Sequence, residues 1–497
     1  MNTRWGKTGL IALLFISLLP TIWSCKKNTA ENGLLAFSTD TLTFDTVFTA
    51  PFSSVTKRFK VFNRSSETLI ISEIRLLRLM GNQFKINVDG LSGEVFTQVE
   101  VLPEDSIYVF VEVKVDDPNS GLTPFVIGDD IRFVVDGQEQ RVHVQAWGQR
   151  AHYHFGETLP SGLTVWSNDL PHVVVASDSI PGVYVPAGAQ LQINPGCKVF
   201  VAARSALFVE GELNACAGNW ADSIVFQGVR LESFYQNRPG QWFGIVFLRR
   251  DDGSGAGGGS LCHCVIEESS YGIYAGAGNS QNASFYQNTA TRPDVRLDRC
   301  IVRHNLYNGL FGFNARIQAE NALFYAAGEH LVKLGLGGDY DFQSCTFFNR
   351  GSSFLNHQDE VVLMSNFLSD GNNTLYPAPL DRADFTNCVV YGSLENEISF
   401  NRSEATPFQC HFRYCLLKNS ADSVNVYATV TGGLFNQEPR FKDPEKDDYT
   451  PSDSTGYFSP LIDVAPSGPA GDLYSRARPV VKTGAGNPYD IGAIETP

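Results

Sequence analysis

Basic side chains are scarce in this sequence. It has 38 Lys and Arg against 53 Asp and Glu, for a net charge of −15. Proteins that bind a phosphate backbone carry a basic footprint, so this deficit argues against nucleic acid as a partner. Methionine is also rare, with three residues against 35 Phe and 18 Tyr, and an aromatic excess favours strands over helices. Glycine has no period of three, which excludes collagen. A hydrophobic fraction of 43% excludes a disordered chain, because it can form a core.

Long apolar runs are missing except at the N-terminus, where Leu10–Leu19 follows Arg4 and Lys7. That run is too short to span a bilayer, so residues 1–24 are predicted to be a secretory signal. The stretch Ile22-Trp23-Ser24-Cys25 resembles a bacterial lipobox. The resemblance implies lipidation of Cys25 and a membrane anchor, with ordinary signal cleavage as the alternative. No Asp adjoins Cys25, which favours the outer membrane, facing the periplasm or the cell surface. Residues 25–33 are predicted to be a tether.

Residues 34–150 show short alternating apolar runs separated by turn signals, a pattern that predicts an antiparallel β-sandwich. The stretches Phe44-Asp45-Thr46-Val47, Val61-Phe62-Asn63 and Val144–Gly148 resemble immunoglobulin-like domains of bacterial envelope proteins. Such a resemblance implies a spacer or a binding module. No nucleophile and base are grouped in this stretch.

A repeat of about 22 residues follows, in which a small residue precedes two apolar ones. A unit this short cannot bury its apolar face alone, so we predict a right-handed, single-stranded parallel β-helix over residues 151–440, with roughly a dozen coils. The small residues are predicted to form one inward column: Cys264, Cys300, Ala322, Cys345, Asn366, Cys388 and Cys415. Buried cysteines behave as small hydrophobic residues, which favours unpaired thiols. Cys197 and Cys216 are the best disulfide pair, and alternation in Cys262-His263-Cys264 puts only the two sulfurs on one side, which argues against zinc.

Two further segments resemble a pectate-lyase-like β-helix family of bacterial cell-surface proteins. They are Val185–Gly196 with Trp242–Ile245, and the tail pattern Ser459–Asp463 with Asp490–Glu495. Because of these segments and the lipobox, the chain resembles Bacteroidetes outer-membrane lipoproteins of the right-handed parallel β-helix repeat family. The resemblance implies an all-β protein with residues 441–497 as a C-terminal cap over the last open edge. Members of that family include carbohydrate lyases, glycosidases and adhesins. The glycine-rich stretch 251–260 is predicted to be a loop that leaves the stack.

Several charged groups could carry chemistry. The period-two set Arg292, Asp294, Arg296 and Asp298 is predicted to share one strand face, either as a catalytic cluster or as solvated ion pairs. A second set is Lys333, Asp339, Asp341, Arg350, His357 and Asp359. The pair His152 and His154 lacks a third metal ligand, and no metal centre is predicted. Calcium is an alternative at Asp447, Asp448 and Asp453, although their spacing fits no EF-hand. Asp463, Asp472, Arg478 and Asp490 are predicted to form a structural network in the tail.

Aromatic side chains in or near loops suit sugar stacking. The candidates are Tyr271, Tyr274, Tyr286, Tyr307 and Trp242, and we expect Trp242 to fill the core instead. The sequence therefore predicts a lipid-anchored envelope protein that binds or scaffolds a glycan or a partner protein. A polysaccharide lyase or glycoside hydrolase acting on an acidic glycan, and a subunit of an outer-membrane protein complex, are the alternatives. A convergent charged cleft would favour the enzyme, and scattered charges would favour binding.

Overall fold

A computed structural model describes residues 34–49, 55–116, 124–278, 283–369, 374–483 and 487–497. The predicted signal peptide, Cys25 and the tether lie outside these residues. The described chain forms two compact units that divide between Gln149 and Arg150. None of the helices among the described residues has the length and hydropathy needed to span a bilayer.

The first unit is a β-sandwich, as the alternating runs predict. Its strands are β1 (Ala36–Phe37), β2 (Thr41–Phe48), β3 (Val55–Phe62), β4 (Leu69–Leu76), β5 (Phe84–Val88), β6 (Leu91–Gly93), β7 (Val95–Phe96), β8 (Val99–Val101), β9 (Ser106–Val113), β10 (Phe125–Val135) and β11 (Gln138–Gln149). One sheet has the order β1-β3-β9-β5-β6, and the other has the order β2-β11-β10-β4-β7 with β8 beside β4. Inward side chains of both sheets, among them Phe44, Phe59 and Phe133, form one buried core.

The second unit is a parallel β-helix. Its first five coils contain β12 (His152–Phe155), β13 (Glu157–Thr158), β14 (Gly162–Trp166); β15 (His172–Val175), β16 (Gly182–Val185), β17 (Ala189–Ile193); β18 (Lys198–Val201), β19 (Ala206–Val209), β20 (Glu212–Cys216); β21 (Ile224–Gly228), β22 (Gly244–Leu248), β23 (Gly258–Cys262); β24 (Cys264–Glu267), β25 (Ile273–Ala277), α1 (Ala283–Tyr286) and β26 (Asp294–Asp298). The next five contain β27 (Ile301–Asn305), β28 (Leu310–Phe313), β29 (Arg316–Glu320); β30 (Leu323–Ala327), β31 (Val332–Gly335), β32 (Gly338–Gln343); β33 (Thr346–Asn349), β34 (Val362–Ser365), the hairpin β35 (Phe367–Ser369) and β36 (Leu375–Pro377), β37 (Leu380–Thr386); β38 (Val389–Gly392), β39 (Ile398–Asn401), β40 (Phe408–Arg413); β41 (Leu416–Leu417), α2 (Ala421–Tyr427) and β42 (Thr429–Thr431). The strand β43 (Leu434–Phe435) ends the stack, and β44 (Phe441–Asp443) and β45 (Asp448–Pro451) form a hairpin in the tail.

Three parallel sheets run the length of the β-helix. Sheet 1 begins with β12 and β15, sheet 2 with β13 and β16, and sheet 3 with β14 and β17; within the described residues they contain 11, 9 and 10 strands. Ten coils are therefore present where about a dozen were predicted, because several coils carry inserted loops. The glycine-rich stretch contributes to one of these loops, but its last three residues, 258–260, belong to β23 and not to a loop.

The corner between sheets 3 and 1 explains the cysteine column. A single residue with positive φ precedes the small residue in six coils: His263, Arg299, Asn321, Ser344, Asn387 and Tyr414. This left-handed residue turns the chain, and the next side chain then points into the core. The thiols donate hydrogen bonds to backbone carbonyls of the sheet 3 strand one coil earlier, for example Cys264 Sγ to Ala215 O at 3.1 Å and Cys300 Sγ to Leu261 O at 3.2 Å. Cys197 begins the same column and is buried.

Asn366 is not a member of this column, and that prediction was wrong. Strands β33 and β38 are direct neighbours in sheet 1, so Cys345 and Cys388 are adjacent although 43 positions apart. Asn366 follows β34 in sheet 2, where its amide donates to Ser403 O at 2.8 Å. The inserted loop and hairpin of this coil double its length and imitate an extra repeat.

The disulfide also differs from the prediction. Cys216 pairs with Cys262, which is its register partner on the neighbouring strand of sheet 3. Cys197 points inward from the start of the coil that Cys216 ends, so these two sulfurs do not meet. Cys262 and Cys264 do not share a side either, because His263 between them adopts φ 51° and turns the chain.

The tail was predicted to cover the last open edge of the stack. It lies instead along the outward face of sheet 1, over several coils. Leu461, Leu473 and Ile491 pack against the outward residues Leu323 and Val389. Backbone groups attach the tail at several coils, since Trp220 donates to Leu473 O and Gly492 N donates to Asn387 O at 2.8 Å. At the end of the stack, the helix α2 instead buries Val424 against the core.

Candidate functional site

The outward face of sheet 2 carries a column of aromatic side chains. Parallel pairing places Tyr184 beside Phe208, and Tyr274 beside Phe311, with Lys333 next in register. Neighbouring strands are about 4.8 Å apart, so side chains in register stack on one another. The column follows from strand alternation, because the flanking residues of each strand point into the core.

Five rings of this region form a continuous surface, here called the aromatic platform: Phe243, Tyr271, Tyr274, Tyr307 and Phe311. The rings of Tyr274 and Phe311 stack at 4.7 Å and 17°. Tyr271 lies at the centre, 5.4 Å from Phe243, 5.7 Å from Tyr274 and 5.3 Å from Tyr307 between ring centroids. Phe243 and Tyr307 are 38% and 39% exposed, so the platform presents ring surface to solvent.

Polar groups surround the platform. Lys333 Nζ lies 5.5 Å from the Phe311 ring and 3.9 Å from Glu329 Oε2, and Glu329 accepts a hydrogen bond from Asn308 at 3.2 Å. Burial raises the pKa of Tyr274 to about 12 and also raises the pKa of Tyr271. Both hydroxyls are therefore protonated at neutral pH and can donate. Within the described residues, neither hydroxyl has a hydrogen-bond partner.

The structure thus brings together three of the aromatic residues predicted for sugar stacking. Tyr286 lies one ring away, 5.4 Å from Phe313, and its hydroxyl donates to Gly278 O. Trp242 is in the core, as expected, where its indole donates to Glu267 O at 2.8 Å. Sequence reasoning missed Phe243 and Phe311, whose positions only the register between coils reveals.

The predicted charged cluster is split between a surface and an interior site. Asp294 and Arg296 point outward from sheet 3. Arg292 does not share their face, because its side chain is only 5% exposed and binds Asp381, Asn314 and the carbonyl of Pro379 at 2.6, 2.7 and 3.2 Å. It precedes the strand, at a corner, where the strand alternation does not apply.

Charges on the outward face of sheet 3 alternate and neutralise one another. Arg316 lies 3.3 Å from both Asp294 and Asp339, and Arg382 lies 2.8 Å from Asp339 and 3.0 Å from Asp341. In the next coil, Asp384 contacts His411 and Arg413. Asp298 pairs with the adjacent Arg299 at 2.7 Å. Carboxylates held this way leave no acid and base converging on a shared space.

The second predicted group is also dispersed. Lys333 is on sheet 2, whereas His357 is buried in the loop after β33, with Nε2 2.9 Å from Glu397. Asp359 is exposed and forms no hydrogen bond or ion pair among the described residues. Arg350 lies beside the tail, 3.7 Å from Glu445. A joint catalytic role for these residues has no geometric support.

Histidines at the start of the β-helix form a stack with Trp166. A third histidine, His172, joins the predicted pair, and its ring lies 4.6 Å from Trp166 and 5.3 Å from His154. Burial lowers the pKa of His172 to about 4 and also lowers that of His154, so both are neutral near pH 7. His154 contacts Glu157 and His172, and His172 also contacts Ser167 O. Both ring nitrogens of His154 and both of His172 are hydrogen-bonded, which leaves none of these four to bind a metal.

No group of three or more His, Cys, Asp or Glu side chains in the described residues could hold a metal ion. The carboxylates considered for calcium have other partners. Asp447 pairs with Arg303 at 3.1 Å, Asp448 accepts from Thr450 N at 3.0 Å, and Asp453 lies 3.7 Å from Lys482.

The four predicted tail residues belong to one buried network. Asp490 accepts hydrogen bonds from Asp463 N at 2.9 Å and Thr496 N at 2.7 Å. Arg478 contacts Glu495 at 3.3 Å, and Asp472 pairs with Arg476 at 2.6 Å while accepting from Glu495 N. These contacts fix the turns of the tail and leave no group directed at a ligand.

No protein-family model and no curated protein matches the chain. Among solved structures, it is similar to the VesB protease of Vibrio cholerae, with 14% identity over 23% of this chain and 31% of that one, at a TM-score of 0.17. A family 123 glycoside hydrolase from Clostridium perfringens gives 8% identity over 27% and 30%, at 0.16. The catalytic unit of the GH87 alpha-1,3-glucanase from Streptomyces thermodiastaticus gives 10% over 82% and 93%, at 0.21. The chain thus spans under a third of the first two proteins.

Proposed function

We propose that this protein is a lipid-anchored outer-membrane protein whose β-helix binds a glycan on the aromatic platform. The observation that carries the proposal is a contiguous group of five rings, of which Phe243 and Tyr307 are exposed, beside tyrosine hydroxyls that have no partner among the described residues. Sugar rings bind through their apolar faces and their hydroxyls together. A cluster of rings with polar groups at its edge offers both kinds of contact.

The arrangement of charges supports binding over catalysis. Glycoside hydrolysis needs two carboxyl groups at a fixed separation across an open space, whereas five carboxylates of sheet 3, those of Asp294, Asp298, Asp339, Asp341 and Asp384, each contact a cation. Beside the platform, the described residues offer the carboxyl group of Glu329, which contacts Lys333 and Asn308. A single carboxyl group next to stacked rings can orient a sugar without cleaving it.

The experiment compares two double variants of the chain that begins after Cys25. Phe243→Ala/Tyr307→Ala removes the two most exposed platform rings, and Phe155→Ala/Tyr457→Ala removes rings that are 46% and 43% exposed elsewhere. Binding to a panel of neutral and acidic polysaccharides is measured by isothermal titration. We expect the platform variant to weaken binding about tenfold or more, which corresponds to about 1.4 kcal/mol, and the control to bind like the wild type.

Two outcomes would contradict the proposal. Equal losses in both variants would show that the rings matter only for folding or for non-specific contact. Release of reducing ends or of unsaturated sugars from any polymer would establish turnover, and the protein would then be an enzyme. Anchoring is tested separately, by whether Cys25→Ser releases the protein from the membrane fraction.

A further inference from the structure

The outward face of the first sheet of the sandwich concentrates positive charge. Along β3, Arg58, Lys60 and Phe62 alternate outward, and Arg64 continues the period. Pairing with β9 sets Arg58 opposite Phe110 and Lys60 opposite Tyr108. Cations and aromatic rings therefore interleave across two neighbouring strands.

The cations of this face converge and are not neutralised. Arg58 Cζ and Lys60 Nζ lie 4.9 and 4.8 Å from the centroid of the same Tyr108 ring, and Arg64 lies 5.1 Å from the Phe62 ring. Among the described residues, none of the three forms an ion pair with a carboxylate. The ring faces stabilise these cations in part, and positive charges that share one exposed face without carboxylate partners favour the approach of an anion. The contrast is sharp in a chain with a net charge of −15.

A groove continues the face on the side of β5. It has a volume of about 740 Å³ and is lined by Phe110, Lys85, Asn87 and Thr56, with Arg78 and Glu94 also contributing. The lining thus combines ring surface, the two cations Lys85 and Arg78, neutral polar groups, and the carboxylates of Glu94 and Glu112, of which Glu94 pairs with Arg78. This volume lies in the range of pockets that take small ligands or segments of a polymer.

We infer that this cationic face, defined by Arg58, Lys60, Arg64, Tyr108 and Phe110, is a binding site for an acidic polysaccharide. Carboxylate or sulfate groups of the polymer would pair with the converging cations, and its sugar hydroxyls would meet the polar side of the groove. A membrane surface fits less well, because the outward side chains of β3 and β9 include no exposed aliphatic residue that could enter a bilayer. This site is on a different unit from the platform and does not depend on the function proposed for it.

The test measures binding of the chain that begins after Cys25 to polygalacturonate, dextran sulfate, neutral dextran and vesicles of phosphatidylglycerol. Two double variants remove the same charge: Arg58→Gln/Lys60→Gln at the face, and Lys198→Gln/Arg204→Gln at exposed positions of the β-helix. We expect the face variant to lose about tenfold in affinity for the acidic polymers, as two charge-assisted contacts are removed. Neutral dextran should not respond, and salt should weaken the acidic binding.

Three results would overturn the inference. Equal losses in the two variants would indicate a general field effect, and binding to vesicles but not to the polymers would indicate membrane docking. Absence of binding to both acidic polymers at low salt would remove the site altogether. A cooperative thermal unfolding transition in each variant is the control that the variant is folded. Platform variants that bind acidic polymers normally would separate this site from the proposed function.

Discussion

Glu268 is a buried acid whose ionisation should set how the β-helix responds to pH. It is 6% exposed and lies at the corner after β24, where it accepts hydrogen bonds from Asn237 N at 2.9 Å and Gly228 N at 3.2 Å. These bonds hold the loop that leads to Phe243 of the platform. Burial raises the pKa of Glu268 to about 7 from an ordinary value of 4.5, with the charge of Glu267 acting in the same direction.

The sign of the effect follows from proton binding. Between pH 4.5 and 7 the folded protein holds a proton on Glu268 that the unfolded chain has released, so the free energy of unfolding falls as pH rises through this window. A shift from 4.5 to about 7 corresponds to about 3 kcal/mol. For a unit of this size, that amounts to about 4 °C in Tm.

The substitution Glu268→Gln keeps the shape and removes the ionisation. We expect the variant to gain Tm relative to the wild type as pH rises from 5 to 8, by about 4 °C in total. Thermal unfolding of both proteins at four pH values measures this difference, from which other titrating groups cancel. The exposed Glu212→Gln is the matched control for loss of one carboxylate. A difference between wild type and Glu268→Gln that stays constant with pH would refute the reasoning.

Three further predictions concern stability. Reduction of the Cys216–Cys262 disulfide should lower the free energy of unfolding by about 3 kcal/mol. Denaturation with and without reductant measures this loss, and the double Ser variant is the control, whose stability should not respond to reductant. Asp490→Asn should cost about 1–3 kcal/mol in urea denaturation, because one of two buried N–H donors then faces an amide NH₂; a neutral result would mean that the tail is not fixed by this network. Arg292→Gln should cost about 2 kcal/mol and Arg316→Gln, on the exposed face, under about 1 kcal/mol, and equal losses would contradict the burial difference.

The β-helix was predictable because small residues recur along the sequence at the spacing of its coils. A left-handed corner residue followed by a small inward side chain recurs in six coils, and the cysteines mark most of them in the sequence. The signal fails where a coil is lengthened, as at Asn366, whose spacing matches the repeat although an inserted hairpin supplies it. Spacing along the chain also gave the wrong disulfide. Cys216 pairs with Cys262, its register partner in the next coil, and not with Cys197, the cysteine nearest to it in sequence.

The platform was predictable only in part. Tyr271, Tyr274 and Tyr307 are polar aromatics near loops, which is a local property of the sequence. Phe311 looks like a core residue in the sequence, and only the strand phase shows that it points outward beside Tyr274. Arg292 shows the opposite error, since a period-two pattern extended beyond the end of its strand places it on a surface that it does not reach.

The outward faces of the three sheets of the β-helix differ in what covers them, and this difference supports placing the proposed glycan site on sheet 2. The face of sheet 1 is covered by the tail, whose apolar residues bury Leu323 and Val389. On sheet 3 the cations and carboxylates of neighbouring coils neutralise one another, which leaves little affinity for an outside charge. Among the described residues, the outward face of sheet 2 at the platform is neither covered by the tail nor occupied by paired charges. Phe243 and Tyr307 stay 38% and 39% exposed, and the hydroxyls of Tyr271 and Tyr274 have no partner among the described residues. Sheet 2 therefore presents ring surface and hydroxyl donors on one face, the combination on which the proposed glycan site depends.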